Sequence, residues 1–309
     1  MSTLIPASST PSVPPTPSAP VTFATFATTD GTELAYHVLG EGPPLVCLPG
    51  GAMRASAYLG DLGGLSAGRR LIMLDLRGTG DSAIPADEST YRVDHQVADV
   101  EALRIHLGLE SMDLLAHSAS GNLALLYAAA HPQRLSRLVM VTPTAWAVDL
   151  VQDPQERMET YLLRAGSEPY ATALAAYERV IASTGSGGAV DKADWEASMP
   201  LAYGLWDETA RAHVAANAHQ QNAEAAAAYG GPGAFDPPVT RAGLRRVAGE
   251  VLVLAGELDG NPRPALAARL AELFPHGTTD VQPGGGHFPW LDDADWFSAR
   301  IERFLGTGA

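Results

Sequence analysis

Short apolar runs recur along the chain at residues 45–48, 71–74, 114–115, 138–141 and 251–254. Each is apolar at consecutive positions rather than alternating. Strands covered on both faces read this way, so the runs predict a buried, largely parallel sheet. Ahead of them Leu34, Tyr36 and Val38 alternate with other residues, and Asp30-Gly31 supplies a tight-hairpin signal. Between the runs the period becomes helical. Val97, Val100, Leu103 and Leu107 share one face with Gly108 as a stop, and residues 122–130 read as a second helix ended near Pro132. Strand–helix alternation predicts an α/β fold with right-handed crossovers.

The alternation breaks between about Thr144 and Val239, where the chain is Ala-rich and helical. Turn signals stand at Asp153-Pro154 and at residues 185–188 and 230–233, and residues 206–228 read as one long or broken helix. The expected organisation is a core of residues 21–143 and 239–309, with residues 144–238 inserted as a helical block over one edge of the sheet. Residues 1–20 differ from both: they carry no charge, and 6 Pro, 5 Ser and 3 Thr fill 14 of the 20 positions. Such a segment buries too little apolar surface to offset its ordering entropy, so a flexible tail is expected. It lacks the positive start and continuous apolar stretch of a secretory signal.

Composition narrows the function. Against 35 acidic residues stand 20 basic ones, giving a net charge of −15, and Lys192 is the lone lysine. Binding phosphate backbones needs clustered Lys and Arg, so a nucleic-acid partner is excluded. The lone Cys47 cannot form an intramolecular disulfide, and no Cys/His cluster has zinc spacing. No apolar run approaches the ~20 residues of a membrane helix. The expectation is a soluble cytoplasmic protein acting on a small molecule without cofactor or metal, its oligomeric state left open.

Residues 114–121 (Leu-Leu-Ala-His-Ser-Ala-Ser-Gly) join a buried strand to a helix through small residues. A serine at the tip of such a turn presents its hydroxyl away from the sheet, which is the logic of G-x-S-x-G. Here Ala116 and Ser120 replace the two glycines, and Gly121 follows. An ordinary capping turn is the plain alternative. Two later loops favour chemistry: Asp259 follows the run at 251–254, and His287 follows the glycines at 284–286. A serine hydroxyl attacks only if a base takes its proton, and a carboxylate fixes that base's tautomer. His287 and Asp259 fit those roles behind Ser118, with Glu257 as the alternative acid. The developing oxyanion needs two donors, read here as the backbone N–H groups of Ala119 and of Gly51 in Pro49-Gly50-Gly51-Ala52-Met53. His117, Asp75 and Arg77 read as structural, and His213 and His219 are badly spaced for a metal.

With Asp75-Leu76-Arg77-Gly78-Thr79-Gly80-Asp81-Ser82 and Gly286-His287-Phe288-Pro289-Trp290-Leu291, these segments resemble the α/β-hydrolase superfamily from about Val21 to the C-terminus. The most similar branch is that of the prolyl-iminopeptidase-like and esterase-like hydrolases. The resemblance implies the α/β-hydrolase fold, a helical cap and a Ser118–Asp259–His287 triad, in the chain order that fold uses. The chain departs from the pattern at Pro49, where such proteins carry His, and at Ala52-Met53, where iminopeptidases continue with Pro-Gly. Ester hydrolysis through an acyl-enzyme is therefore expected ahead of amide hydrolysis. An iminopeptidase-like aminopeptidase, a lyase or acyltransferase, and a non-catalytic sensor are the alternatives. Cap residues Tyr161, Leu162, Tyr170, Tyr177, Trp195, Met199, Tyr203 and Trp206 supply cap core or pocket surface, and Glu178, Glu196 and Glu224 are the carboxylates an aminopeptidase would recruit.

Overall fold

A computed structural model describes residues 22–185 and 189–306. The segment read as a flexible tail lies outside the described residues. The sheet has eight strands: β1 (Thr22–Ala27), β2 (Glu33–Leu39), β3 (Pro44–Leu48), β4 (Arg70–Leu74), β5 (Met112–His117), β6 (Leu135–Val141), β7 (Glu250–Gly256) and β8 (Gly277–Gln282). Their spatial order is β1-β2-β4-β3-β5-β6-β7-β8. Strand β2 runs antiparallel to both β1 and β4, and every pair from β4 to β8 is parallel. The β1–β2 hairpin turns at Asp30-Gly31, where Gly31 takes φ +83° and donates to Thr28 O.

The consecutive apolar runs divide between two faces because successive side chains in a strand point to opposite sides. Val46, Ile72, Leu114, Leu138, Met140, Val251 and Val253 join one core cluster, while Leu45, Cys47, Leu71, Leu115, Val139, Leu252 and Leu254 join the other. The first face is covered by α1 (Val97–His106) and α2 (Ser120–Ala130). The chain then forms α3 (Pro154–Leu162), α4 (Tyr170–Gly185), α5 (Lys192–Ser198), α6 (Glu208–Gln220), α7 (Ala223–Tyr229), α8 (Pro237–Leu244), α9 (Pro264–Ala271), α10 (Pro289–Asp292) and α11 (Ala294–Leu305). Helices α8 and α9 return to the first face, and α10 and α11 cover the second through Trp290, Phe297, Ile301 and Leu305. Gly243 of α8 meets α2 so closely that an added Cβ would lie 2.6 Å from the Ala129 Cβ.

The helical insertion does not cover a sheet edge. It leaves after β6 and returns before β7, and these strands are hydrogen-bonded neighbours inside the sheet, so no free edge lies between them. The inserted helices sit over the carboxyl ends of the strands instead. Ala55 N donates to Gln220 O, Asn222 N to Met53 O, His287 N to Ala202 O, and the Tyr229 hydroxyl to Ala119 O. The stretch read as a long or broken helix is broken, with α6 ending at Gln220 and α7 starting at Ala223 behind an Asn222 cap. Among the described residues no helix is long and apolar enough to cross a membrane.

Candidate active site

Ser118 stands between the end of β5 and the start of α2 with φ +53°. Left-handed backbone costs an L-residue about 1–2 kcal/mol, so the surrounding turn must hold it. It does: Ser118 N donates to Val141 O at 3.0 Å, and Ser118 O accepts from Gly121 N at 2.8 Å and Thr144 N at 3.0 Å. Small neighbours are obligatory. A Cβ on Gly121 would fall 2.5 Å from the Pro143 Cβ, and one on Gly50 would fall 2.7 Å from the Ser118 Cβ. Ser120, at the second departure from glycine, uses its hydroxyl to bond Pro49 O and so ties the turn to the loop after β3.

Asp259 and His287 leave the carboxyl ends of β7 and β8. Gly256 lets these two loops touch, since a side chain there would collide with Gly286 O at 2.2 Å. The result brings the three sequence-predicted side chains together. Ser118 Oγ lies 2.8 Å from His287 Nε2, and His287 Nδ1 lies 2.8 Å from Asp259 Oδ2. The other Asp259 oxygen accepts from Asn261 N at 2.8 Å. Glu257 instead accepts from Gly284 N and is not on the imidazole. Asp259 is 3% exposed and Ser118 8%, so the cluster is largely screened from water.

Gly51 has φ +72°, and its carbonyl is held by the Gln221 side chain. The N–H groups of Gly51 and Ala119 have no protein acceptor among the described residues. Gly50 approaches the serine turn so closely that an added Cβ would lie 3.2 Å from Ala119 N. The loop after β3 and the start of α2 therefore present two free amides beside Ser118.

A hydrogen-bond chain that the sequence did not announce fixes this geometry. Gly50 N–H donates to the Tyr58 hydroxyl at 2.6 Å, which lies 2.6 Å from His117 Nδ1, while His117 Nε2 lies 2.9 Å from His287 O. Since the His287 carbonyl can only accept, the proton of the neutral His117 ring sits on Nε2, and Nδ1 accepts from the Tyr58 O–H. Burial, then the neighbouring His287, holds the His117 pKa well below the ordinary histidine range, so the ring stays neutral. The Thr142 hydroxyl also donates to His287 O, at 2.9 Å. Tyr58 and Arg54 carry no spacing signal in the sequence; only their partners far along the same chain reveal them.

Tyr161, Leu174, Tyr177 and Leu201 form a small core within the insertion, whereas Leu162 and Trp195 are exposed on it. Tyr203 stacks on Phe288, with ring centroids 4.9 Å apart, beside His287. Asp75 accepts from Ser56 N and Asp81 N, and Arg77 pairs with Asp99 of α1 and with Asp30 of the hairpin turn. His37, Asp75 and Asp81 bring ligand atoms within 4.8 Å of one another, but the Asp75 oxygens already accept from two backbone amides.

Residues 43–294 match the alpha/beta hydrolase fold family, and the chain belongs to that family. Within it, the chain is similar to a proline iminopeptidase of Lactobacillus helveticus, at 38% identity over 139 residues. That match covers 43% of this chain and 47% of the relative, so it spans about half the length of either. A proline iminopeptidase of Lactiplantibacillus plantarum is 26% identical over 313 residues, covering 90% of this chain and 98% of the relative. Among solved structures, an esterase from Rhodococcus sp. ECU1013 superposes with a TM-score of 0.65 at 24% identity, covering 93% of this chain and 99% of that one. A proline iminopeptidase of Mycobacterium smegmatis gives 0.66 at 23%, covering 91% and 97%. This member of the alpha/beta hydrolase fold family is thus similar to both iminopeptidases and esterases.

Proposed function

We propose that this chain is a serine hydrolase that cleaves a small-molecule carboxylic ester through an acyl-enzyme, with residues 144–238 acting as its cap. The observation that carries the reading is the continuous Ser118 Oγ–His287 Nε2 and His287 Nδ1–Asp259 Oδ2 contact, each 2.8 Å. His287 takes the Ser118 proton as the oxygen attacks the carbonyl carbon and returns it to the leaving group. Asp259 holds the imidazole with its proton on Nδ1 and stabilises the imidazolium. The amides of Gly51 and Ala119 receive the oxyanion. Water, deprotonated by His287, then releases the acid.

The second reading is a proline-iminopeptidase-like aminopeptidase, favoured by the full-length match to a relative of that name. Such an enzyme must hold a substrate ammonium with carboxylates. The residues named for that role, Glu178, Glu196 and Glu224, are all exposed, and Glu196 pairs with Lys192 at 3.6 Å. That favours the ester. The test is labelling with a fluorophosphonate, followed by turnover of p-nitrophenyl esters of graded chain length beside proline and alanine p-nitroanilides. Labelled protein that prefers esters supports the first reading, and preference for the proline anilide supports the second. An unlabelled protein is a sensor on a hydrolase fold.

A further inference from the structure

Arg54 is 4% exposed, yet no carboxylate pairs with it among the described residues. Other buried arginines are answered in charge: Arg69 by Glu302, Arg77 by Asp99 and Asp30, Arg104 by Glu101. Arg54 has only neutral partners. Its Nε donates to Gln220 Oε1 at 2.9 Å, its Nη2 to the His213 carbonyl at 3.1 Å, and its guanidinium carbon lies 4.3 Å from the Tyr58 ring centroid. Nη1 donates to no described protein atom. Burial pulls its pKa down, opposed only by the Tyr58 and Tyr203 hydroxyls. An unpaired buried charge is among the costliest groups a fold can keep. Gln220 Oε1 and the His213 carbonyl are neutral acceptors that do not require a charged donor, so this anchor alone does not account for the charge.

The position supplies the account. Arg54 follows the Gly51 turn, and a Cβ on Gly51 would lie 2.8 Å from its Cβ and 3.3 Å from its Cδ. Its aromatic support, Tyr58, is the residue that bonds Gly50 N and His117. The wall continues through His213, 5.7 Å from the Tyr58 ring and 4.6 Å from Phe288, which adjoins His287. The cation thus lies on the Tyr58 ring just after the Gly51 turn, tied to α6 through Gln220 and the His213 carbonyl.

We propose that Arg54 determines specificity by binding a carboxylate carried by the substrate close to its scissile carbonyl, so that the preferred substrates are monoanionic esters such as half-esters of short diacids. One guanidinium carries one charge, which matches a carboxylate better than a phosphate dianion, and a planar fork suits two carboxylate oxygens. The proposal rests on the serine-hydrolase reading, and it places the second charge of the reaction complex where the fold has left its partner out.

Two matched substrate pairs test it: p-nitrophenyl hydrogen glutarate against p-nitrophenyl valerate, and 4-acetoxybenzoate against 4-acetoxybenzamide. They place the anion on the acyl and the leaving side respectively. The wild type is expected to favour the anionic member of at least one pair, and Arg54→Gln to reduce that kcat/KM preference by about 10- to 100-fold. Arg54→Lys, which keeps the charge, should restore part of it. Preference for the neutral member of both pairs by the wild type overturns the proposal, whether or not the variants fold. So does an anionic preference that survives in a folded Arg54→Gln. If neither pair is turned over, calorimetric titration with the monoanion glutaramate separates the two ideas. Binding by the wild type and Ser118→Ala that is lost in Arg54→Gln sustains the anion site and absence of binding overturns it, while fluorophosphonate labelling decides the hydrolase reading separately.

Discussion

The Tyr58 hydroxyl and His117 Nδ1 lie 2.6 Å apart, and through this pair the loop carrying Gly51 is joined to the loop carrying His287. Tyr58→Phe deletes the link with little change of shape. It strands Gly50 N–H and His117 Nδ1 without partners in a buried place. Losing the partner of a buried polar group costs about 1–3 kcal/mol. Urea unfolding is expected to report a loss of that size. Ester turnover should fall by roughly tenfold or more, because small displacements of catalytic groups are expensive.

Ser118→Ala and His287→Ala are each expected to lower turnover by about 10⁴–10⁶, with the double variant little worse than either. In the proposed mechanism the non-additivity follows from a single proton exchanged across the 2.8 Å contact: once either member is gone, the other has nothing to do. Two losses that multiply instead would mean that the pair does not act as a unit.

The acid is tested by two amide replacements. Asp259 faces His287 Nδ1, so Asp259→Asn presents an N–H or a mispaired carbonyl there and should cost on the order of 10⁴ in kcat. Glu257 only caps the Gly284 amide in an exposed turn, so Glu257→Gln should change kcat less than about threefold. Steady-state rates with one ester decide. The reverse ranking assigns the carboxylate to Glu257.

Gly50 needs no unusual backbone angle; it needs the absence of a side chain. A Cβ there would meet His117 O at 2.5 Å and the Ser118 Cβ at 2.7 Å, both on the strained turn. The turn is fixed by its own hydrogen bonds and cannot retreat without breaking them. Gly50→Ala is therefore expected to abolish fluorophosphonate labelling or lower its rate by about 10² or more, in keeping with ångström-scale misplacement of a reacting group. Labelling at the wild-type rate would show that the turn has slack the packing does not suggest.

What could be seen in the sequence follows from which interactions are local. Strands β3 to β7 were visible because both their faces are covered, which writes consecutive apolar residues into each. Strand β8 was not: as an edge strand it reads Gly-Thr-Thr-Asp-Val-Gln, and its Asp280 pairs with Arg300. The insertion was recognisable as helical from its alanines. Its seat over the strand ends depends on β6 and β7 being neighbours, and strand order leaves no local mark. Ser118, Asp259 and His287 stood out because each follows a predicted strand or a glycine run. Tyr58 and Arg54 stayed hidden because their partners, His117 and Gln220, lie far along the chain.

Two buried imidazoles make a contribution to stability that falls with acid. Burial, then the Arg54 charge, lowers the His213 pKa to about 4, and the Tyr203 hydroxyl lies 2.6 Å from its Nδ1. His117 is shifted in the same direction. An unfolded histidine titrates near 6.5, so below that pH the unfolded chain binds protons that the native one refuses. The stability that the two rings contribute is then fully present above about pH 6.5 and is lost as pH falls towards 4, each ring adding a slope of up to about 1.4 kcal/mol per pH unit. His213→Gln keeps an acceptor for Tyr203 and removes one titrating ring. Buried acids such as Asp99, Asp113 and Asp292, whose pKa values are raised, act oppositely but equally in both proteins. Urea unfolding between pH 7 and 5 should therefore give a shallower loss for His213→Gln than for the wild type. Parallel curves would mean that His213 takes up its proton in the native state, beside Arg54, as readily as in water.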